Sequence, residues 1–260
     1  MGLPNEFMTA HLHAFVINLP AATERLARVT NRLDAARIPH TRVEGVYGPG
    51  LQFPHPSFDE RRYALWHGKE PNPREVGCYL GHIAAIRAFL ESDADYGLIL
   101  EDDADFAPSL PALLDEAVAA RGTWDLLHLS HCGRLHPSTF LTLRNLPNGA
   151  RIAQHLTHVK GAGAYLVNRR WAEAAVGALL PMWLPWDYAF DREEDLPGRF
   201  RAALLLPFPV SQATPDASQI TQTRKLHSLR RAFTVMPRRN FERAARFIRR
   251  LFTAWMTKKT

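Results

Sequence analysis

The chain has 260 residues, 46% of them hydrophobic, which suits one large domain or a domain with an appendage. Residues 224–260 carry 12 of the 32 Lys and Arg residues and one acid, Glu242, so a net charge of +11 there leaves −5 on the other 223 residues. That acidic body argues against a nucleic-acid partner. The two separated cysteines, the lack of a signal-peptide pattern and the lack of any apolar run near ~18 residues predict a cytoplasmic chain without a membrane span.

Strand and helix patterns alternate from the start of the chain. The segment "HAFVINL" (His13–Leu19) is apolar and β-branched and predicts a buried strand. Apolar residues then recur at helical spacing and predict a helix to about Arg37. The next segment, "TRVEGVYGPG", predicts a short strand followed by a glycine-rich loop, and residues 51–72 have the composition of an irregular stretch.

The segment "NPREVGCYLGHIAAIRAFLES" carries a helix start signal. Asn72 is a capping residue, Pro73 suits the first helical position, and Glu75 is placed for a capping-box-like pair. The next segment, "GLIL", predicts a strand that runs directly into four acids.

The second half repeats the alternation. A helix is predicted for "SLPALLDEAVAAR", a strand for "WDLLHLS", a strand turning into a helix for "GAGAYLVNRRWAEAAVGALL", and one last strand for "LLLPFPVSQ". This order predicts an α/β layered sheet, in which ligands bind beyond the carboxyl ends of the strands.

The acids after "GLIL" form the main candidate site. Along an extended strand Glu101 and Asp103 share one face, with Asp102 opposite, and two such carboxylates can hold a hard divalent cation. Asp103 and Asp105 form an equally spaced second pair, and only the position of the strand end decides between the pairs. The structural alternative is that these acids cap the next helix or lie solvated in a turn.

Six blocks occur in an order that resembles a known family. They are "FVINLPAATERL", "VEGVYG", "EVGCYLGHIAAIRAFL", "LILEDDADF", "GAGAYLVNRRWAE" and "PVSQATPDASQI". The chain from about Phe15 to Ile220 resembles glycosyltransferase family 25, the bacterial lipooligosaccharide and lipopolysaccharide core glycosyltransferases, whose animal relatives glycosylate collagen. One departure is Gly81, which precedes His82 where the family usually has serine; a lost ligand contact and closer helix packing are both open explanations.

The resemblance implies a GT-A-like nucleotide-sugar-binding fold: α/β, with a mixed central sheet flanked by helices, over residues 1–223. It also implies a UDP-sugar donor, usually UDP-galactose, a Mn²⁺ or Mg²⁺ ion, a lipid-linked oligosaccharide acceptor and inversion at the anomeric carbon. Glu101, Asp103 and Asp105 are the expected metal ligands, and Asp102 adjoins the donor.

The resemblance also assigns donor contacts to residues that are otherwise neutral. Asn18, Glu44 and Gly45 end the first two predicted strands, and Arg25 is placed to reach a phosphate. As alternatives, Arg25 pairs on the surface with Glu24 or Asp34, the glycine lies in a plain tight turn, and His82 is a structural core residue.

The later part of the chain adds candidates for donor contacts and for the catalytic base. Gly161 and Gly163 are expected near the donor sugar, or else at a tight strand crossing; Gln212 and Ser218 are expected to line the site. In "PMWLPWDYAFD" Asp187 is the candidate base that takes the acceptor proton, because its aromatic neighbours raise a carboxyl pKa and stack on sugars. Asp191 and Glu193 are its rivals, and the alternative is that the tryptophans are core and Asp187 caps a turn.

The basic tail, residues 224–260, predicts a C-terminal amphipathic helix. Between Arg238 and Lys259 one stripe is apolar and the arginines lie mostly off it: Phe241, Ala245, Ile248, Phe252 and Trp255 form the stripe. This pattern predicts peripheral binding to an anionic membrane, at the inner face of the inner membrane where the acceptor is assembled. Packing of the stripe on the domain is the alternative.

Two other functions remain compatible with the sequence. A metal-dependent nucleotidyltransferase could use the same strand-end acids and would release pyrophosphate. For a non-catalytic, membrane-associated sugar-binding protein, no nucleotide-sugar would raise the melting temperature in the presence of Mn²⁺.

Overall fold

The central feature of the fold is an eight-stranded mixed sheet with strand order β2-β1-β3-β8-β5-β9-β7-β6. The structure, a computed structural model, describes residues 11–132, 135–212 and 236–257. A second sheet of two antiparallel strands, β4 and β10, lies beside the first. The strands are β1 Leu12–Asn18, β2 His40–Glu44, β3 Tyr96–Glu101, β4 Ala104–Phe106, β5 Leu126–His128, β6 Phe140–Asn145, β7 Arg151–His155, β8 Ala164–Asn168, β9 Ala202–Leu206 and β10 Val210–Gln212.

Helices cover both faces of the large sheet. They are α1 Thr23–Ala35, α2 Glu60–Trp66, α3 Pro73–Glu91, α4 Leu110–Ala119, α5 Arg169–Ala178, α6 Trp186–Ala189 and α7 Met236–Thr257. One core, built around α3, α5 and α6, packs on one face of the sheet. A second core, which holds the apolar residues of α1 and α4, packs on the other face. The expected α/β architecture with a mixed central sheet flanked by helices is therefore confirmed, because each buried strand has an apolar layer on both sides.

Parallel pairing brings three strand ends to one edge of the sheet. Strand β1 pairs in parallel with β2, so Asn18 lies opposite Glu44. It also pairs in parallel with β3, where Ile17 lies opposite Glu101. Strand β8 runs antiparallel to β3 and begins at the same edge. This edge is where α/β sheets bind ligands.

Several predicted elements are confirmed with small shifts in their bounds. Helix α3 begins at Pro73, and the side chain of Asn72 accepts a hydrogen bond from the backbone N–H of Arg74 at 3.1 Å. Glu75 accepts a hydrogen bond from the hydroxyl of Tyr63. Helix α4 buries the four residues predicted to face inward, which are Leu110, Leu114, Ala117 and Val118.

Other predictions of secondary structure are wrong. Residues 51–72 contain helix α2, which Asp59 caps by accepting a hydrogen bond from the N–H of Arg62 at 2.8 Å. The segment predicted as one last strand divides at the cis bond between Leu206 and Pro207 into β9 and β10, which lie in different sheets. Proline lacks the N–H that a continuous ladder requires, so the chain changes sheets there.

The C-terminal helix α7 packs against the domain beside β6 and β7. Its exposed side is apolar, whereas Arg246 and Arg250 are buried. The predicted alternative, in which the apolar stripe packs on the domain, is therefore wrong. In the part of the chain that the structure describes, no helix combines the length and the apolar character needed to span a bilayer.

Candidate active site

The candidate site is built on Glu101, the last residue of β3. Its backbone N–H donates to the carbonyl of Gly163 at 2.9 Å, which fixes the end of β3 against the entry to β8. One carboxylate oxygen of Glu101 lies 3.4 Å from Nε2 of the buried His82. The Glu101 carboxylate is therefore oriented at the sheet edge by a side chain from α3.

Asp102 is buried among polar side chains at the same edge of the sheet. Its carboxylate accepts a hydrogen bond from Nδ2 of Asn18 at 2.8 Å and pairs with Arg25 at 3.2 Å. Burial raises the pKa of Asp102, against the lowering effects of Asn18 and Arg25. The predicted surface pairing of Arg25 with Glu24 or Asp34 does not occur. Both Asn18 and Arg25 lie at the site edge, but this contact makes them partners of Asp102.

Asp103 has an unused oxygen at the site. Its Oδ1 is buried and has no hydrogen-bond partner among the described residues. Burial, followed by the charges of Glu101 and Asp102, raises the pKa of Asp103 to about 6. Ionisation of a carboxylate in this position is unfavourable. A bound cation would offset the repulsion and would provide the contact that Oδ1 lacks.

Asp105 is committed elsewhere. It lies on β4, and its carboxylate pairs with Arg32 of α1 at 2.8 Å. Strand β3 ends at Glu101, and residues 102 and 103 form a turn before β4 begins. Of the two predicted pairs, the geometry therefore favours Glu101 with Asp103.

A cluster that the sequence reasoning did not identify lies behind Glu101. Potential ligand atoms of Cys78, His82 and Glu101 lie within 4.8 Å of one another. His82 also shares a hydrogen bond with the Tyr165 hydroxyl at 3.2 Å and stacks on Trp186 with ring centroids 5.0 Å apart. The signal in the sequence was the spacing of Cys78 and His82, which is one helical turn on α3. His82 is both a core residue and a neighbour of the site.

Two of the three predicted glycines at the edge, Gly45 and Gly161, allow a close approach of neighbouring chain. A Cβ on Gly45 would lie 3.2 Å from the carbonyl carbon of Asn18. Gly161 has φ of +88°, and a Cβ there would lie 2.7 Å from Sγ of Cys132, whereas Gly163 has ordinary space around it near Gln212. Gly161 thus supports the predicted tight crossing, and Gly163 lines the site next to Glu101.

Glu44 and Gly81 lie in different surroundings, one exposed and the other packed between a helix and a strand. Glu44 is exposed at the end of β2. Gly81 lies where α3 crosses β1, and a Cβ there would lie 3.1 Å from the side chain of Ile17. That short distance favours close helix packing as the reason for glycine. Ser218 lies outside the described residues.

Asp187 lies in α6, next to Trp186, which stacks on His82, the partner of Glu101. After burial itself, the charges of Glu101, Asp187 and Asp103 all raise the pKa of the Cys132 thiol, so the three carboxylates lie in the same region of the protein. Burial also raises the pKa of Asp187, with His158 opposing that effect. A partly exposed carboxylate with a raised pKa is suited to accept a proton.

The two rivals of Asp187 are locked into ion pairs. Asp191 is fully buried, and although burial would raise its pKa, Arg250, His158 and Arg246 hold it well below the usual range. Glu193 accepts hydrogen bonds from Arg250 at 2.7 and 2.6 Å. Neither carboxylate is free to take a proton from an acceptor.

The tryptophans beside Asp187 are core residues. Trp183 and Trp186 are 8% and 3% exposed, so they present no open ring face to a sugar. Trp186 instead connects the base segment to the acid edge, because it stacks on His82, the partner of Glu101. The alternative prediction, that both tryptophans are core residues, is confirmed.

The donor set fits a hard divalent cation such as Mn²⁺ or Mg²⁺. Glu101 and Asp103 offer carboxylate oxygens as metal ligands. Oδ1 of Asp103 has no hydrogen-bond partner among the described residues and is therefore available to a cation. A cleft of about 530 Å³ lies elsewhere, and its lining includes residues of β6 and β7 and His131. We place the chemistry at the acids because the cleft lacks a carboxylate among its lining residues.

Comparison with known proteins adds one finding. The model of a family described as glycosyltransferase family 25 (LPS biosynthesis protein) matches residues 11–190, which include Glu101, Asp103 and Asp187. No curated protein matches the chain at a significant level.

Proposed function

Since the chain belongs to glycosyltransferase family 25 and is thus a glycosyltransferase of lipopolysaccharide biosynthesis, we propose that it transfers a hexose, galactose, from a UDP-sugar. The acceptor is a hydroxyl of a lipid-linked core oligosaccharide, and the transfer inverts the anomeric carbon. The observation that carries this proposal is the proximity of Asp187 to the acids, because its neighbour Trp186 stacks on His82, whose Nε2 lies 3.4 Å from Glu101.

In this proposal Asp187 is the base. Its carboxylate takes the proton of the acceptor hydroxyl while the hydroxyl oxygen forms a bond to the anomeric carbon. The bond from that carbon to the diphosphate breaks, and the nucleoside diphosphate leaves with the electron pair. The raised pKa of Asp187, caused first by burial, supports this role because it makes the carboxylate a stronger base.

We assign the metal to Glu101 and Asp103. When bound, a divalent cation stabilises the negative charge that develops on the leaving diphosphate. His82 supports this assignment, since its Nε2 lies 3.4 Å from Glu101 and fixes the carboxylate before any ligand arrives. Asn18 and Arg25 hold Asp102, and they thereby set the turn that presents Asp103.

A panel of nucleotide-sugars tests the donor and the metal. We expect UDP-galactose with Mn²⁺ to raise the melting temperature, and wild type to release UDP when a core oligosaccharide is added. Asp103→Asn should lose both the Mn²⁺ effect and the transfer, while Asp105→Asn, whose side chain pairs with Arg32, should retain them.

Each alternative gives a different product. Release of pyrophosphate from a nucleoside triphosphate would indicate a nucleotidyltransferase. The absence of any nucleotide product, with sugar binding intact, would indicate a binding protein. Full transfer by Asp103→Asn would remove the metal assignment and leave the donor open.

We further propose that the outer face of α7 binds the membrane that holds the acceptor. This face exposes large apolar side chains over its whole length; Ile248 is 67% and Phe252 61% exposed. Three arginines of the helix contact acids of the domain: Arg246 and Arg250 are buried, and Arg249 pairs with Glu194 at 2.5 Å. Apolar insertion at the interface, with a smaller electrostatic share, is therefore the expected mode.

Vesicle flotation tests this surface in the full chain. Ile248→Asn with Phe252→Asn should reduce flotation with vesicles of phosphatidylethanolamine and phosphatidylglycerol by roughly tenfold, from the loss of buried apolar area. Leu65→Asn, which changes an exposed apolar residue of α2, is the matched control and should float like wild type. Equal flotation of all three proteins would contradict the proposal, and a concentration-dependent dimer that the double variant abolishes would assign the face to a second copy of the chain.

A further inference from the structure

The inner face of α7 contacts the segment that carries the candidate base. This segment, residues 186–195, comprises α6 and the turn that follows it. Arginines of α7 meet its acids: Arg246 lies 3.0 Å from Glu194, and Arg250 lies 2.6 Å from Glu193. Ion pairs and hydrogen bonds join the two, which is unusual for the packed side of an amphipathic helix.

Arg250 is the centre of this contact. Its side chain is 1% exposed, and its three nitrogens donate to two separate stretches of chain. Nη1 donates to the carbonyls of His155 and Thr157 at 3.3 and 2.5 Å, just beyond β7. Nη2 donates to the carbonyl of Asp191 at 2.5 Å, and Nε and Nη2 together hold Glu193. One guanidinium therefore fixes the 186–195 segment to the end of β7.

Both stretches continue into the candidate site. The chain that follows Thr157 passes through His158 and Val159, which also contact Asp191, at 3.4 and 3.3 Å. It then reaches Gly163, whose carbonyl accepts from the N–H of Glu101. The 186–195 segment carries Asp187. Arg250 thus links the stretch of chain that reaches Gly163 and Glu101 to the segment that carries Asp187.

Burial of such an ion pair gives little net stability, because the desolvation cost offsets the attraction. Its use is to select one arrangement, since a planar guanidinium with five N–H groups requires its acceptors in fixed directions. Only an arginine satisfies these three carbonyls and two carboxylates together. The cost of keeping it buried is explained if the arrangement it selects is needed for activity.

We propose that Arg250 is a positioning residue for Asp187, which makes α7 a working part of the active site as well as a membrane-facing surface. This inference rests on the proposed function, in which Asp187 is the base. It predicts that the inner face of α7 matters even when the acceptor is water-soluble and no membrane is present.

The test compares Arg250→Gln with Arg243→Gln in the full chain. Arg243 is an exposed arginine of the same helix. With a soluble core oligosaccharide and no vesicles, Arg250→Gln should lower kcat at least about tenfold and leave the donor KM within about twofold, because misplacement of the base affects the chemical step. Arg243→Gln should behave as wild type.

Hydrogen exchange gives a readout that does not depend on activity. Amides of residues 186–195 should exchange faster in Arg250→Gln, while those of β1 and β3 keep wild-type rates. A kcat within twofold of wild type, or unchanged exchange in the segment, would overturn the inference. If wild type itself transfers no sugar, the proposed function fails, and the exchange result still decides whether Arg250 fixes the segment.

A second variant guards against loss of folding. Arg249 is 38% exposed and pairs with Glu194 in the same segment, so Arg249→Gln removes an outer contact and leaves Arg250 in place. It should fold, lower kcat by a smaller factor and raise exchange around residues 193–195. Wild-type exchange and kcat in this variant, together with unfolding of Arg250→Gln, would reduce Arg250 to a stability role.

Discussion

Asp103→Asn should make the metal-free protein more stable at neutral pH. The pKa of Asp103 is raised to about 6, first by burial and then by Glu101 and Asp102. Because the folded pKa lies above the unfolded value of about 3.8, the folded state binds this proton more tightly, and ionisation above the folded pKa costs stability. The difference between the two pKa values corresponds to about 3 kcal/mol of unfolding free energy. Solvent screening of this partly exposed carboxyl reduces the expected effect to about 1–2 kcal/mol.

The stability difference between Asp103→Asn and wild type should depend on pH. Both folded and unfolded Asp103 are protonated well below pH ~3.8, so the advantage of the amide should be near zero there and grow as the pH rises to ~6. Urea unfolding of both proteins in a chelator, at pH 7.5 and near pH 4, measures the difference in unfolding free energy. Added Mn²⁺ should then stabilise wild type alone and reverse the order. A variant that is less stable at pH 7.5, or a difference that does not change with pH, would refute the repulsion argument.

Three further outcomes follow from the site and its surroundings. Asp187→Asn should lower kcat by about 10²-fold or more, with little change in donor KM, because it removes the base without removing a donor contact; initial rates over a donor series measure both constants. Gly161→Ala should destabilise the chain by about 1–3 kcal/mol, since its φ is +88° and a Cβ would lie 2.7 Å from Sγ of Cys132. Gly177→Ala in α5, where a Cβ meets nothing within 4 Å, should instead leave stability unchanged or raise it by up to about 1 kcal/mol in the same urea titration.

Local patterns predicted most of the sheet and its helices. The strand before the acids, helix α3 with its Asn72 cap and the buried residues of α4 all follow from residue spacing and capping chemistry. Helix α2 escaped prediction because its aromatic and charged residues give no regular apolar stripe, and Tyr63 alone is buried. The division of the last strand escaped because pairing with β4, which is itself only three residues long, decides it.

The orientation of α7 shows a limit of periodicity. The spacing of Ile248 and Phe252 predicts a helix with one apolar face, and that face exists. Which face docks is decided by acids far away in the sequence: Arg246 meets Glu194 at a separation of 52 residues. An apolar stripe packs inward only when the domain offers an apolar surface, and here the domain offers carboxylates. The same contact explains why the basic composition of the tail overstates the charge that the helix can present to a membrane.

Three consecutive acids are compatible with a stable sheet edge because the end of β3 gives each a different surrounding. Glu101, still on the strand, meets His82; Asp102, in the turn, pairs with Arg25 and accepts a hydrogen bond from Asn18. Burial raises the pKa of Asp102 as well, but of these three acids only Asp103 has a buried oxygen without a hydrogen-bond partner among the described residues. The prediction paired Glu101 with Asp103 because alternate residues of a strand share a face. That reason holds only to Glu101, where β3 ends, and Asp103 is instead brought to the site by the turn that follows. The repulsion that remains is therefore concentrated on one carboxylate, where a cation would relieve it, and the two protein contacts beside it keep that carboxylate in place before the cation binds.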